Sequence, residues 1–303
     1  DKLGLMWIGT STGLARYDGR RTRQWSSDPE EKHSLSGPLV SSILQGHQDY
    51  LWIATSGGLD RINTKTEQID REAMPAELSL QQRRVWSLAP NTQDKIWVAT
   101  HTRLYLFDPH ANSEQRFQAI PLSGDDGAQL RSIISDGQGG IWAALGSRVF
   151  HLTATAVVAQ QFDAASINTN KSRVDFSVRY MALADQHRLW LGTQTGLQIW
   201  NVKQTQAQLD PLNAQLDLPN ERIFAILMDE EKSMWIGYGG NNALYRIRPK
   251  DTVKIEQYKN YPTLTSSIVS NSIASLFQDR TGTLWVGTWG NGISLVDLRS
   301  KGF

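Results

Sequence analysis

The stretch "LWIAT" at residues 51–55 returns along the chain with few changes. Its clearest counterparts are "IWVAT" at 96–100, "LWLGT" at 189–193, "MWIGY" at 234–238 and "LWVGT" at 284–288. The tryptophans that anchor this pattern are Trp7, Trp52, Trp97, Trp142, Trp190, Trp235 and Trp285. The intervals between them are 45, 45, 45, 48, 45 and 50 residues. Such a period predicts one small structural unit per interval, repeated seven times.

Each unit contains short runs typical of β-strands, rich in β-branched and aromatic residues and separated by Gly, Asp and Asn. Apolar residues stand twelve and nine positions before the tryptophan, as Val85 and Leu88 do before Trp97. A third strand follows the tryptophan strand, and a weaker fourth strand ends the unit, as in "KIEQYK" at 254–259. We therefore predict an all-β fold, a seven-bladed β-propeller of four-stranded antiparallel blades, in a single domain over residues 1–303.

Packing explains the repeated pentapeptide better than catalysis does. A tryptophan between two sheets removes roughly 150–250 Å² from water. The Gly or Ala two residues later lies on the same face of the strand, so we expect it to leave room for a bulky neighbour. The alternatives are weaker, because the Trp-Asp and Gly-His pairs of WD40 repeats do not recur and helical periodicity is absent.

The two ends of the chain predict incomplete blades. The first unit begins six residues before Trp7, and the last stops at "KGF" at 301–303. We expect the first and last blades each to lack about one strand, so that the propeller closes imperfectly or with residues outside this chain.

Composition excludes several classes of function. The 303-residue chain has a formal net charge of +1, which gives no field for binding nucleic acid. It has no cysteine, which excludes disulfides, thiolate metal sites and a cysteine nucleophile. No apolar run approaches the about 18 residues of a membrane span. We find no phosphate loop and no metal-ligand pair, and "DGQGG" at 136–140 lacks the alternating acids of a calcium loop, so we expect no cofactor and no metal.

Two stretches resemble a known repeat. "QDYLWIATSGGLDRIN" at 48–63 and "FQDRTGTLWVGTWGNGISLVD" at 277–297 are similar to the two-component regulator propeller repeat. The opening "DKLGLMWIGTSTGLARYDG", with "HSLSG" at 33–37, resembles the first blade of such sensors. Blades 3 and 4 depart from the pattern, with Arg103 and Arg148 in place of the turn glycine.

The resemblance implies the periplasmic sensor region of an inner-membrane receptor, without enzyme activity of its own. In that family an immunoglobulin-like linker, a transmembrane helix and a cytoplasmic kinase or diguanylate cyclase follow the propeller. The membrane contact would then come through segments outside this chain. The signal would pass through a change in propeller orientation or in the packing of a homodimer.

Candidate binding residues are those that vary between repeats near the mouth of the central channel. Thirteen or eleven residues before a tryptophan stand Arg84, Arg131, Arg179 and Arg222. The turns after the second strands add His101, Gln194, Tyr238 and Trp289. Arginine binds carboxylate or sulfate groups with two parallel hydrogen bonds, and an exposed tryptophan can stack on a sugar ring. We predict a mouth that binds an anionic saccharide or a similar small molecule. Alternatively, these arginines are solvated or pair with acids such as Glu221 and Asp175.

Two other classes of function stay open. A propeller enzyme of the polysaccharide lyase type needs converging His, Tyr or carboxylate groups, for which His101 and Tyr238 are the candidates. A protein-interaction platform needs an exposed apolar patch instead. We expect the remaining histidines to be solvated, and the aspartates of the turns to bond nearby backbone amides. Those after or within the third strands are Asp18, Asp60, Asp108 and Asp297, and those before the tryptophan strands are Asp49, Asp94, Asp136, Asp185, Asp229 and Asp279.

Overall fold

The computed structural model describes residues 1–123, 127–167, 176–185, 187–203, 206–249 and 253–299. Within these residues the chain forms seven small antiparallel sheets and only three short 3₁₀ helices. This is the seven-bladed β-propeller that the repeat predicts. The chain divides into two compact units, residues 1–160 and 161–303, and the boundary falls within the last strand of the fourth sheet. That residues 1–303 form a single domain stays a prediction.

The first unit holds the first four sheets in chain order. Sheet 1 consists of β1 (Met6–Thr10), β2 (Gly13–Tyr17) and β3 (Thr22–Trp25). Sheet 2 consists of β4 (Val40–Gln45), β5 (Tyr50–Thr55), β6 (Leu59–Asn63) and β7 (Ile69–Arg71). Sheet 3 consists of β8 (Val85–Pro90), β9 (Ile96–Thr100), β10 (Leu104–Phe107) and β11 (Phe117–Ile120). Sheet 4 consists of β12 (Leu130–Ser135), β13 (Ile141–Leu145), β14 (Arg148–Leu152) and β15 (Val158–Asp163).

The second unit holds the other three sheets. Sheet 5 consists of β16 (Val178–Ala184), β17 (Arg188–Thr193), β18 (Gly196–Asn201) and β19 (Gln208–Leu209). Sheet 6 consists of β20 (Ile223–Met228), β21 (Met234–Tyr238), β22 (Leu244–Pro249) and β23 (Val253–Tyr258). Sheet 7 consists of β24 (Ile273–Gln278), β25 (Thr283–Thr288) and β26 (Ile293–Asp297). The 3₁₀ helices, which the sequence did not predict, are Ser113–Gln115, Ala164–Ile167 and Pro211–Gln215.

The first and last sheets are the shorter ones. Within the described part of the chain, sheets 1 and 7 have three strands and the other five have four. Sheet 1 begins with the strand that carries Trp7, and sheet 7 ends with its third strand, β26. The expectation that each of these blades lacks about one strand is confirmed.

Where another sheet follows in the same unit, the repeated tryptophan packs against that sheet. Trp97 of sheet 3 shares a buried cluster with Leu130 and Ile133 of sheet 4. In the second unit, Trp235 of sheet 6 packs in the same way with Ile273 and Leu284 of sheet 7. The indoles of Trp97 and Trp235 are almost completely buried. Packing between sheets is therefore the role of the repeated residue, as the sequence predicts.

The small residue two positions after the tryptophan makes this packing possible. A Cβ atom added at Gly237 would lie 2.5 Å from Cγ2 of Ile273, and one at Gly192 would lie 2.8 Å from Cγ2 of Ile223. Atoms that close overlap, so a larger side chain would push the neighbouring sheet away. The inference that Gly or Ala leaves room for a bulky neighbour is confirmed.

An aspartate six residues before the tryptophan ties the turn to the indole in three sheets. We call this arrangement the Asp–Trp clasp. One carboxylate oxygen accepts the indole N–H, and the other accepts backbone N–H groups of the turn, as Asp229 does from Ser233 at 2.7 Å. The clasped pairs are Asp1 and Trp7 at 2.8 Å, Asp229 and Trp235 at 2.9 Å, and Asp279 and Trp285 at 2.8 Å. The prediction that turn aspartates bond nearby backbone amides is confirmed at Asp136, Asp185, Asp229 and Asp279.

Sheet 6 adds a buried arginine to its clasp. Nη2 of Arg246 donates to Asp229 at 3.2 Å and to Glu231 at 2.8 Å. Its guanidinium carbon lies 5.1 Å from the centre of the Trp235 ring. Because Asp229 and Arg246 are both buried, loss of the Asp229 carboxylate would leave the indole N–H without its acceptor and would leave the buried cation with Glu231 as its remaining acceptor among the described residues.

Replacing Asp229 by Ala should lower the free energy of unfolding by about 3–5 kcal/mol, the usual cost of breaking a buried ion pair. Asp279→Ala is the matched control, because Asp279 forms the same clasp without a buried arginine. Its loss should be about 1–3 kcal/mol. Urea unfolding followed by circular dichroism measures both. Equal losses would mean that Arg246 adds nothing to the clasp.

Asp60 departs from its prediction. It lies inside β6 rather than in a turn, and its carboxylate is fully buried. Oδ2 accepts the backbone N–H of Ser36 at 2.8 Å, whereas Oδ1 has no hydrogen-bond partner among the described residues. Burial raises the pKa of Asp60 to about 6. The prediction of a turn is therefore wrong for Asp60, whereas Asp18 bonds the amides of Arg20 and Arg21 as predicted.

Replacing Asp60 by Asn should stabilise the protein at neutral pH. The folded pKa of about 6 lies above the value of about 4 expected in the unfolded chain. The carboxylate therefore costs nothing below about pH 4, and its cost grows between about pH 4 and 6 and is complete above, where it reaches roughly 3 kcal/mol. Urea unfolding of both proteins across this range measures the difference. A difference that does not change with pH contradicts the assignment.

Candidate functional site

A β-bulge interrupts the start of the innermost strand in six of the seven described sheets. In each, the register with the tryptophan strand shifts between the first and third residues of the innermost strand. A bulge re-aims the extra side chain and increases the local twist. The residues between the shifted pairs are Ser41, Trp86, Arg131, Arg179, Phe224 and Ala274. The variable residues of the repeat therefore stand where the ladder is broken.

The sequence argument found only part of this set. It selected arginines eleven residues before a tryptophan, which are Arg131 and Arg179. It missed Trp86 and Phe224, which occupy the same position in sheets 3 and 6. Both residues stand eleven positions before a repeated tryptophan, so the same spacing would have found them if residues other than arginine had been considered.

In the first unit the bulges of sheets 3 and 4 contribute to one group of side chains. We call it the Trp86 cluster, formed by Arg84, Trp86, His101 and Arg131. The guanidinium carbons of Arg84 and Arg131 lie 3.6 and 4.5 Å from the centre of the Trp86 ring. Such contacts attract the cation to the aromatic face and hold the flexible arginine chains in place. Three predicted site residues, Arg84, Arg131 and His101, are thus brought together.

His101 completes the cluster through the indole of Trp86. Nε1 of Trp86 donates to Nδ1 of His101 at 3.4 Å, so the ring proton of a neutral His101 belongs on Nε2. The backbone amide of Leu130 donates to the carbonyl of His101 at 3.0 Å, which ties the turn to β12 beside Arg131. Burial, and then the charges of Arg131 and Arg84, lower the pKa of His101. The imidazole is therefore neutral near pH 7 and can donate from Nε2.

Of the two arginines in this cluster, Arg84 has fewer hydrogen-bond acceptors among the described residues. Its Nε is buried without a hydrogen-bond partner, and it forms no ion pair with any described residue. Burial lowers the pKa of Arg84. Arg131, by contrast, donates from Nε to Oε1 of Gln129 at 2.6 Å. An anion that reached Arg84 would supply the acceptor that the protein does not.

The second unit contains an open depression at the start of β20. We call it the Phe224 depression. Its volume is about 530 Å³. It is lined by Gln194, Asn220, Glu221, Arg222, Phe224, Gly239, Gly240 and Ser272. The structure thus places two of the predicted residues, Arg222 and Gln194, in one site.

Contacts inside the depression fix its floor and one cation. Nη2 of Arg222 donates to Oε1 of Gln194 at 2.7 Å. The Phe224 ring covers Gly239, where an added Cβ would lie 2.6 Å from the ring. Trp289 stands beside it, with the two ring centres 6.0 Å apart and the planes at 76°. Trp289 is 54% exposed, as expected for a residue that contacts a ligand.

The other predicted residues are placed differently. Tyr238 is fully buried in a cluster with Trp190 and Tyr245, and its hydroxyl has no partner among the described residues. Burial raises its pKa above the ordinary range. The side chain of Tyr238 therefore lies in the core. Arg179 occupies the bulge of β16.

The alternative pairing of arginines with nearby acids is not seen at Arg222. Among the described residues, Arg222 and Glu221 form no ion pair, although both line the depression. Asp175, the other acid considered, lies outside the described residues.

The described residues contain no group of three or more His, Asp or Glu side chains placed to hold a metal ion. Nor is any helix in that part of the chain long and apolar enough to cross a membrane.

Replacing Arg131 by Gln should raise the pKa of His101. The change removes the arginine whose charge opposes protonation of the ring more strongly, the other being Arg84. Arg103→Gln is the control, since Arg103 lies two residues away but pairs with Glu77. Histidine ring signals followed by NMR across a pH titration give both values. An unchanged His101 pKa in the Arg131 variant would mean that the two side chains do not meet in solution.

A family model matches part of the chain. Residues 267–290 match the model described as "Two component regulator propeller". This stretch covers β24 and β25 of sheet 7, where the sequence shows the pattern most fully. The chain therefore carries the two-component regulator propeller repeat, and the resemblance drawn from the sequence is confirmed. No curated protein sequence matches the chain significantly.

Solved structures share the fold. The extracellular domain of the putative hybrid two-component system BT3049 from B. thetaiotaomicron matches with a TM-score of 0.73 at 21% identity, over 97% of this chain and 38% of that one. The extracellular domain of the putative one-component system BT4673 from the same organism matches with a TM-score of 0.75 at 19% identity, over 96% and 37%. This chain thus spans less than half the length of either.

An enzyme of the same fold also matches. A catalytically inactive virginiamycin B lyase from Staphylococcus aureus, solved with quinupristin, gives a TM-score of 0.69 at 13% identity, over 97% of this chain and 99% of that one. At such identities the likeness of all three shows the fold alone.

Proposed function

We propose that this chain is the extracytoplasmic ligand-sensing propeller of a bacterial transmembrane signalling receptor. The two-component regulator propeller repeat at 267–290 supports this. So do the extracellular domains of the two signalling proteins that share the fold. Both of those extracellular domains are more than twice as long as this chain. The linker, the membrane anchor and the output domain of the proposed receptor would lie outside this chain. The location proposed for this chain is the periplasm, which the extracellular position of those two domains supports.

The Trp86 cluster is the observation that carries the ligand class. Arg84 presents a partly buried guanidinium whose Nε has no partner. Arg131 brings a second guanidinium to the same indole, and the neutral His101 adds a donor. Guanidinium groups match carboxylate and sulfate oxygens geometrically, and a partly desolvated pair attracts an anion more strongly than solvated arginines do. The ligand is therefore an anionic saccharide or small metabolite.

The position of the cluster suggests how binding is passed on. Arg84 precedes β8 of sheet 3, whereas Arg131 lies in β12 of sheet 4. A ligand held by both spans two neighbouring sheets at their bulges. Its binding energy then opposes any relative movement of these sheets, which is how a ligand selects one arrangement of a receptor. In the whole receptor, the signal would then pass through a change in propeller orientation or in the packing of a homodimer.

Binding has more support than catalysis. The lyase alternative relied on His101 and Tyr238, but the hydroxyl of Tyr238 is buried in the core. At 13% identity, the likeness to virginiamycin B lyase shows the fold alone. We therefore propose that this part of the receptor is not an enzyme.

A thermal-shift screen with acidic and neutral oligosaccharides tests the ligand class. An acidic sugar at about a hundredfold excess over its Kd should stabilise the fold by about 2.7 kcal/mol. The shift should disappear in Arg84→Gln, because the cluster loses its uncompensated cation. The control Arg20→Gln removes an equal charge from an exposed position of the same unit and should keep the shift. The proposal fails if no acidic sugar stabilises the wild type, or if Arg84→Gln responds equally.

A further inference from the structure

The Phe224 depression differs in charge from the Trp86 cluster. Its lining includes one acid, Glu221, and one base, Arg222. The two do not pair with each other, because Arg222 donates to Gln194 instead. Their formal charges cancel, so the depression has no net attraction for an anion. It offers a carboxylate acceptor and a guanidinium donor side by side.

Trp289 supplies an apolar surface at the rim. More than half of its side chain is exposed. Its backbone N–H donates to the carbonyl of Ser272 at 3.0 Å, and its ring meets Phe224 at a steep angle. Both contacts fix the indole rather than cover it. An indole held at the edge of a polar hollow can take a flat apolar face of a ligand.

We propose that the Phe224 depression is a separate binding site for the neutral, hydroxyl-bearing six-membered ring of a sugar. The C–H face of such a ring packs on Trp289. Hydroxyls of the ring donate to Glu221 and accept from Arg222, since a hydroxyl does both and both residues line the depression. A volume of about 530 Å³ accommodates one or two sugar rings.

Glycines keep the hollow open. The Phe224 ring occupies the place of a Cβ at Gly239, so the floor is an aromatic ring laid on backbone. Gly240 has a φ of +75°, with nothing within 4 Å of an added Cβ. A side chain there would be strained and would project into open space. The shape of the site thus depends on residues that the repeat does not require.

Saturation-transfer NMR with neutral methyl pyranosides and neutral disaccharides tests this site. The wild type should bind at least one of them, and Trp289→Ala should weaken that binding about tenfold or more. Tyr261→Ala is the matched control, because Tyr261 is an aromatic side chain of similar exposure (53%) elsewhere in the second unit, and it should bind as the wild type does. Glu221→Gln should weaken binding without changing the melting temperature, since Glu221 is exposed and forms no ion pair.

Two outcomes overturn the proposal: no neutral sugar binds the wild type, or Trp289→Ala and Tyr261→Ala bind equally well. Neutral-sugar binding at the Phe224 depression does not involve the Trp86 cluster. Arg84→Gln should leave neutral-sugar binding unchanged, so a failure at one site is not read as a failure at the other.

Discussion

The packing of one indole into the next sheet is the contact on which the rest of this structure depends. A four-stranded sheet of this size cannot bury its own faces, and within each unit the tryptophan closes the gap to the sheet that follows, as Trp97 does to sheet 4 and Trp235 to sheet 7. The glycine or alanine two residues later sets the distance, since a Cβ at Gly237 would already overlap Ile273. In sheets 1, 6 and 7, an aspartate six residues before the tryptophan fixes the indole and the turn together.

The fold followed from the sequence because these constraints recur at a constant spacing. The sequence alone shows a tryptophan, a small residue and two apolar residues at fixed intervals, without knowledge of any contact. The bulge was not visible, because it arises from a shift of one residue between two strands that both look regular. Asp60 was misjudged for a related reason. Aspartate is typical of turns, but the position of Asp60 in β6 places it in the core, where its carboxylate accepts the backbone N–H of Ser36.

The candidate sites were only partly predictable. Arg84, Arg131 and His101 were chosen from their places in the repeat, and they do meet. The residue that joins them, Trp86, was missed because only arginines were considered at its position in the repeat. Tyr238 was chosen from its place in a turn, but its side chain points into the core between sheets 5 and 6. Side-chain direction at a strand end depends on packing that one sequence does not reveal.

The most direct test of the account is the behaviour of Arg84 itself. Nitrogen NMR of the arginine side chains, with the Arg84 Nε–H signal assigned by Arg84→Lys, reports whether this group gains an acceptor. The account predicts that an acidic sugar moves the Arg84 signal together with the ring signals of His101, whereas the neutral sugar with the same ring moves neither. Signals that stay in place when a binding acidic sugar reaches saturation would contradict it.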